Sequence, residues 1–121
     1  PNIYLKGIID PMSEEFSKLM SKCSFSILPS CCEAGASSVI TTMHRGLIPI
    51  VTTETSIDLV GFGIKIESLT INSVKNALLK SIDMKDDEIR SQKSDIIKHI
   101  VKNHMLDSYK RKLNEALNDI L

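Results

Sequence analysis

The stretch Ser24-Phe25-Ser26-Ile27-Leu28-Pro29-Ser30-Cys31-Cys32-Glu33-Ala34-Gly35-Ala36-Ser37-Ser38-Val39-Ile40 decides the fold. Its opening residues, 24–28, are a short run ended by Pro29 and read as a strand. A Cys/Gly/Ser loop follows. Beyond it Val39, Ile40 and Met43 share one helical face, on a segment stopped by Gly46. Residues 47–52 then read as a second strand, with Pro49 expected at its start. Strand, loop, helix and strand in this order are the unit from which parallel sheets are built.

Upstream of this unit, residues 3–9 read as a strand closed by Asp10-Pro11. Ser13 can cap a helix with Glu14 and Glu15 in its first turn and an apolar stripe of Phe16, Leu19 and Met20. Downstream, a polar loop over 53–56 precedes a short helical or turn segment at 57–60. Gly61-Phe62-Gly63 makes a sharp turn into a last strand, 64–66; it opens no helix, so it is no dinucleotide fingerprint. Three apolar stripes complete the chain: Val74, Ala77, Leu78 and Ile82; Ile89, Ile96, Ile97, Ile100 and Val101; and Leu106, Tyr109, Leu113, Leu117 and Ile120. Asn103-His104 is the joint between the last two.

The expectation is an α/β chain: a partial Rossmann-like parallel sheet of about four strands, flanked by helices, with a helical C-terminal tail. Residues 1–66 form the strand/helix core and residues 67–121 are mainly helical. The chain opens on a strand and lacks an initiator Met, so it is expected to be cut from something longer. If the doubly wound order of the family resembled below holds, with its first strands central and upstream of this chain, strand 3–9 is left away from the others. It must then pair directly with 24–28, or self-association must shield the open edge.

Composition narrows the function. The chain's 121 residues are one domain's worth, and 42% hydrophobic residues suffice for a core. Its 15 Lys+Arg balance 15 Asp+Glu, which argues against a protein that lives on nucleic acid. Aromatic residues are 4% and Trp is absent, so base-stacking platforms are excluded. Cys23, Cys31 and Cys32 are odd in number and carry no metal-ligand spacing, which points to a reducing, cytoplasmic setting. No run of about 18 apolar residues is present.

Open parallel sheets bind ligands beyond the carboxyl ends of their strands, so the candidate site is the loop over 29–38. Gly35 permits close backbone approach, and the amides of Gly35, Ala36, Ser37 and Ser38 lie at a helix start that suits a phosphate. Glu33 is a carboxylate beside them, suited to hydroxyl groups. Phosphate on amides and hydroxyls on a carboxylate describe a nucleotide sugar. Small residues also occur here simply to start a helix, and the residues alone leave both readings open.

In their order and spacing, several fragments resemble one family. They are Asn2-Ile3-Tyr4-Leu5-Lys6-Gly7, Phe16-Ser17-Lys18-Leu19-Met20-Ser21-Lys22-Cys23, Ile27-Leu28-Pro29-Ser30, Glu33-Ala34-Gly35, Gly46-Leu47-Ile48-Pro49-Ile50-Val51 and Gly61-Phe62-Gly63-Ile64. Together they resemble the later part of the C-terminal, nucleotide-sugar-binding domain of retaining glycosyltransferases with two Rossmann domains, the "glycosyl transferases group 1" family. The resemblance implies transfer of a sugar from a nucleotide-diphosphate donor to a glycan or lipid-linked acceptor, with no further cofactor and no metal assigned. Of the family's two glutamates, the sugar-contacting one falls on Glu33 and the ribose-binding one on Thr41. Ala34 stands where the family usually has Gly. Threonine offers one hydrogen bond but no charge-assisted pair. The resemblance further implies an upstream Arg and Lys for the diphosphate and an N-terminal acceptor domain, so that this fragment alone is inactive. It also allows peripheral attachment at the inner face of a membrane. The rivals are a non-catalytic nucleotide-sugar or sugar-phosphate binding module and a response-regulator-like domain, for which Asp10 alone is too little.

Other residues read plainly. Cys31 and Cys32 are small loop residues and Cys23 a buried one. His44 and Arg45 end a helix, where cations are favoured. His99 and His104, five apart, do not share a helical face, and the basic residues of the tail form a solvated face.

Overall fold

The computed structural model describes residues 2–120; residues 1 and 121, the ends of the expected 1–121 domain, lie outside the described part. Helix α1 (Glu14–Met20) starts as its sequence dictates, with Ser13 Oγ accepting the Phe16 N–H at 3.1 Å and two glutamates in the first turn. Strand β1 (Phe25–Leu28) leads through the Cys/Gly/Ser loop to α2 (Ser37–Met43) and back to strand β2 (Ile48–Thr52). A single 3₁₀ turn, Thr53–Thr55, and an irregular crossover then reach strand β3 (Ile64–Ile66). The order is β1-β2-β3 and both pairings are parallel, with Phe25 opposite Ile48 and Ile50 opposite Ile64. This is the α/β, Rossmann-like arrangement, with three strands among the described residues.

All five β2 residues are buried, which is why that segment reads as a continuous apolar run. Pro49 is its second residue, not its first, and lies opposite Ser26. Ile48 N–H donates towards β1, to Ser24 O at 2.9 Å, so alternation turns the Pro49 nitrogen to the β3 side. There β3 begins only at the level of Ile50, and no ladder bond is lost.

Helices α3 (Ile71–Asp83), α4 (Asp86–Asn103) and α5 (Leu106–Asn118) follow. One apolar cluster gathers Val39 and Met43 of α2, Val51 of β2, Phe62, and Ile96 and Ile100 of α4. A second joins Ile50, Ile64 and Ile66 to Ala77 of α3. Residues 50 and 51 thus serve different clusters, as strand alternation requires. The Leu106, Tyr109, Leu113 and Leu117 stripe of α5 remains exposed. No helix among the described residues is long and apolar enough to cross a membrane.

Two sequence expectations fail. Residues 3–9 form no strand and pair with neither β1 nor any other strand; Ile3, Tyr4, Leu5 and Ile8 are exposed. Strand propensity is realised only through cross-strand pairing, and residues 3–9 leave the open outer edge of β1 unused. Residues 57–60 form no helix either; the single helical turn sits earlier, at Thr53–Thr55, and Ser56 ends it with φ 56°.

The crossover closes at Gly63, as the Gly61-Phe62-Gly63 turn requires. Its φ is +80°, and a Cβ there would lie 2.7 Å from Leu59 Cδ2 and 2.9 Å from Pro49 O. Its amide donates to Gln92 Oε1 of α4 at 2.9 Å, tying the start of β3 to that helix.

Candidate functional site

The loop after β1 is fastened to the end of β2 at two points. Thr52 Oγ1 donates to Ser30 O at 2.6 Å, and Glu33 N–H donates to Glu54 O at 3.1 Å. Thr55 Oγ1 donates to Thr52 O at 2.7 Å and holds the 3₁₀ turn that presents Glu54. Thr52 and Thr55 are buried, so the bonds their hydroxyls make are shielded from competing water. The loop is therefore held against the carboxyl ends of adjacent strands, where ligands of open parallel sheets sit.

Glu33 is half-buried, and the Ser30 hydroxyl donates to its Oε1 at 3.0 Å. One carboxylate oxygen is thus oriented and Oε2 is left to accept from another donor. Gly35 has φ 131° and Ala36 φ 26°, so the chain reverses sharply here. Ala36 is buried in the core, which anchors the reversal, and Ser37 and Ser38 are exposed. Val39 is the first residue of the turn whose amide is engaged, donating to Ala36 O at 2.9 Å. The amides of Gly35 to Ser38 have no acceptor among the described residues, as at any helix start.

Thr41 lies one turn further along α2. Its Oγ1 donates to Ser37 O at 2.8 Å, so the hydroxyl proton is taken and a lone pair remains. It lines a cavity with Pro11, Met12, His44 and Arg45, and Glu33 is not among that cavity's residues. Arg45 does more than end a helix: its guanidinium lies over the Phe16 ring, 5.9 Å from the centroid, and reaches Pro11 O at 3.5 Å. Cys31 and Cys32 are exposed free thiols, and Cys23 is half-buried rather than buried. Among the described residues no group of three His, Cys, Asp or Glu is arranged to hold a metal ion.

Sequence reasoning missed two features. The Thr52–Ser30 and Glu33–Glu54 links join residues about twenty apart, and no local pattern announces them. The second is a correction. His99 and His104 do come together, with ring centroids 5.5 Å apart. Five residues separate faces only along a continuing helix; α4 ends at Asn103, at the expected joint, and His104, at φ −122° and ψ 15°, leaves the spiral. Burial holds the His104 imidazole below its ordinary value, reinforced by the nearby His99, His44 and Lys112.

No protein-family model matches the chain, and no curated protein matches it.

Proposed function

We propose that this chain is the donor-binding part of a retaining glycosyltransferase that uses a nucleotide-diphosphate sugar. The observation that carries the reading is the pairing, on one strand-to-helix turn, of an oriented Glu33 carboxylate with the unengaged amides of Gly35, Ala36, Ser37 and Ser38. In this reading the amides meet the diphosphate and balance the charge that grows on it as the glycosidic bond breaks. Glu33, steadied by Ser30 and by the backbone link to Glu54, accepts hydroxyls of the transferred sugar and sets its orientation. No general base, metal or further cofactor is assigned. An acceptor-binding domain supplies the other wall of the cleft and the glycan or lipid-linked acceptor, and this chain alone transfers nothing.

A second reading, a non-catalytic nucleotide-sugar binding module, draws support from Thr41, whose hydroxyl is already committed to Ser37 O. Calorimetric titration of a panel of nucleotide-diphosphate sugars tests both readings. Glu33→Ala is expected to weaken binding of the preferred donor by roughly 10–150-fold, the worth of a hydrogen bond to a charged group. Unchanged affinity overturns the assigned role. Thr41→Glu is expected to tighten nucleotide-diphosphate binding. Adding the acceptor domain then decides between enzyme and module, since only an enzyme transfers sugar.

A further inference from the structure

A cavity of about 490 Å³ opens where the end of α4 and the start of α5 meet α2 and the crossover, away from Glu33. Its volume falls in the range of small-molecule sites, about 300–1,000 Å³. Lys98, His99 and Lys102 of α4, His104 of the joint and Lys112 of α5 line it, and Asp58 of the crossover is the one carboxylate among its lining residues. The whole chain carries as many acidic as basic residues, so this concentration of positive charge is a local property. Lys98 also pairs with Asp95 at 3.0 Å on the outer surface, where both side chains are largely solvated and the pairing is weak.

The polar groups are arranged as donors. Asn103 Nδ2 lies 3.3 Å from His99 Nδ1 and donates to His99 O at 3.1 Å, while Asn103 Oδ1 accepts from Lys112 Nζ at 3.5 Å. With Nδ1 facing an amide donor, the neutral His99 ring carries its proton on Nε2. The His99 ring is held edge-on to Phe62, with centroids 5.1 Å apart, and faces the His104 ring on its other side. Two histidines and three lysines therefore line one concavity with a single carboxylate to offset them.

We propose that this cavity is an anion site for a diphosphate group, distinct from the loop at Glu33. Three lysines are point-charge donors of the kind that meet phosphate oxygens, and their flexible stems let them reach several oxygens of one multiply charged group. Against Asp58 they give the lining an excess of two positive charges, to which protonation of His104 adds. A compact group of two to four negative charges fits that excess. Ile40 and Met43 add an apolar part to the lining.

The test is a titration of the chain with inorganic pyrophosphate, followed by the imidazole proton resonances of His99 and His104. Saturable shifts of both rings below about 10 mM pyrophosphate are expected. In a Lys102→Gln/Lys112→Gln variant the affinity is expected to fall by about tenfold or more. Both lysines are exposed, so the variant keeps its fold, and an unchanged thermal melt verifies this. Glu33→Ala is expected to leave the histidine shifts untouched, which separates this site from the donor loop. Bound pyrophosphate should raise the His104 pKa from its lowered value, because the anion offsets Lys98, Lys102, Lys112, His99 and His44, which disfavour the imidazolium form, while Asp58 opposes the anion. Absence of a saturable shift, or equal affinity in the lysine variant, overturns the proposal.

Discussion

Residues 3–9 and β2 are both short, mainly apolar runs that read as strands in sequence, and they have opposite fates. Every residue of β2 is buried between β1 and β3. Ile3, Tyr4, Leu5 and Ile8 stand in solvent, although burying each would be worth about 1.5–3 kcal/mol. The difference lies in what surrounds them. Strand β2 is paired on both sides and has helices over its faces, whereas residues 3–9 leave the open outer edge of β1 unused and pack under no helix. Apolarity makes a segment eligible for a sheet, and neighbours decide whether it enters one.

The largest effect that sharpens this contrast is core truncation. Ile96→Ala, at a fully buried position, is expected to cost about 2–5 kcal/mol, whereas Ile8→Ala should stay within about 0.5 kcal/mol. Urea unfolding of both variants measures the gap; equal losses would mean that residues 3–9 are packed in solution. Residues 3–9 hold Gly7 and the crossover packed against β2 holds Gly63, both at positive φ. Gly63→Ala forces a Cβ against Pro49 O and Leu59 and is expected to cost about 1–3 kcal/mol. Gly7→Ala has the same backbone penalty but open space around it, so its loss should be the smaller of the two in the same melts. The smallest effect is with pH. The folded-state pKa of His104 lies below its ordinary value of 6.5, so the unfolded chain binds the proton more readily. Its contribution to stability is complete above about 6.5 and is lost as pH falls through the lowered value. Urea midpoints should therefore decline in that window, and less so in His104→Gln.

Where sequence reading succeeded, the signal was local. Pro29, Gly46 and Gly61-Phe62-Gly63 punctuate the chain, and the apolar spacing between them changes from strand to helix, so β1, α2, β2 and β3 were legible within a residue or so. The Ser13 cap was legible for the same reason. What failed was not local. Pairing of residues 3–9 depends on an edge elsewhere, and the Thr52–Ser30 link that seats the Glu33 loop joins two strands' ends. Glu33 and the amides after it were legible as residue types; their fastening was not. The His99–His104 pair was hidden because one non-helical residue overrides the arithmetic of helical faces.

The strand order β1-β2-β3 runs in the order of the chain, and this shapes the route to the folded state. Each strand needs only its immediate predecessor, so the sheet assembles by closing loops of about twenty residues or fewer, whose entropic cost grows only with the logarithm of length. Ile96 and Ile100, which complete the first apolar cluster, lie some forty-five residues beyond β2 and must wait for α3 and α4 to be laid down. The β1-α2-β2 unit is thus the natural nucleus and α4 the late clasp, so weakening α4 should show mainly as faster unfolding while the folding rate is left nearly alone.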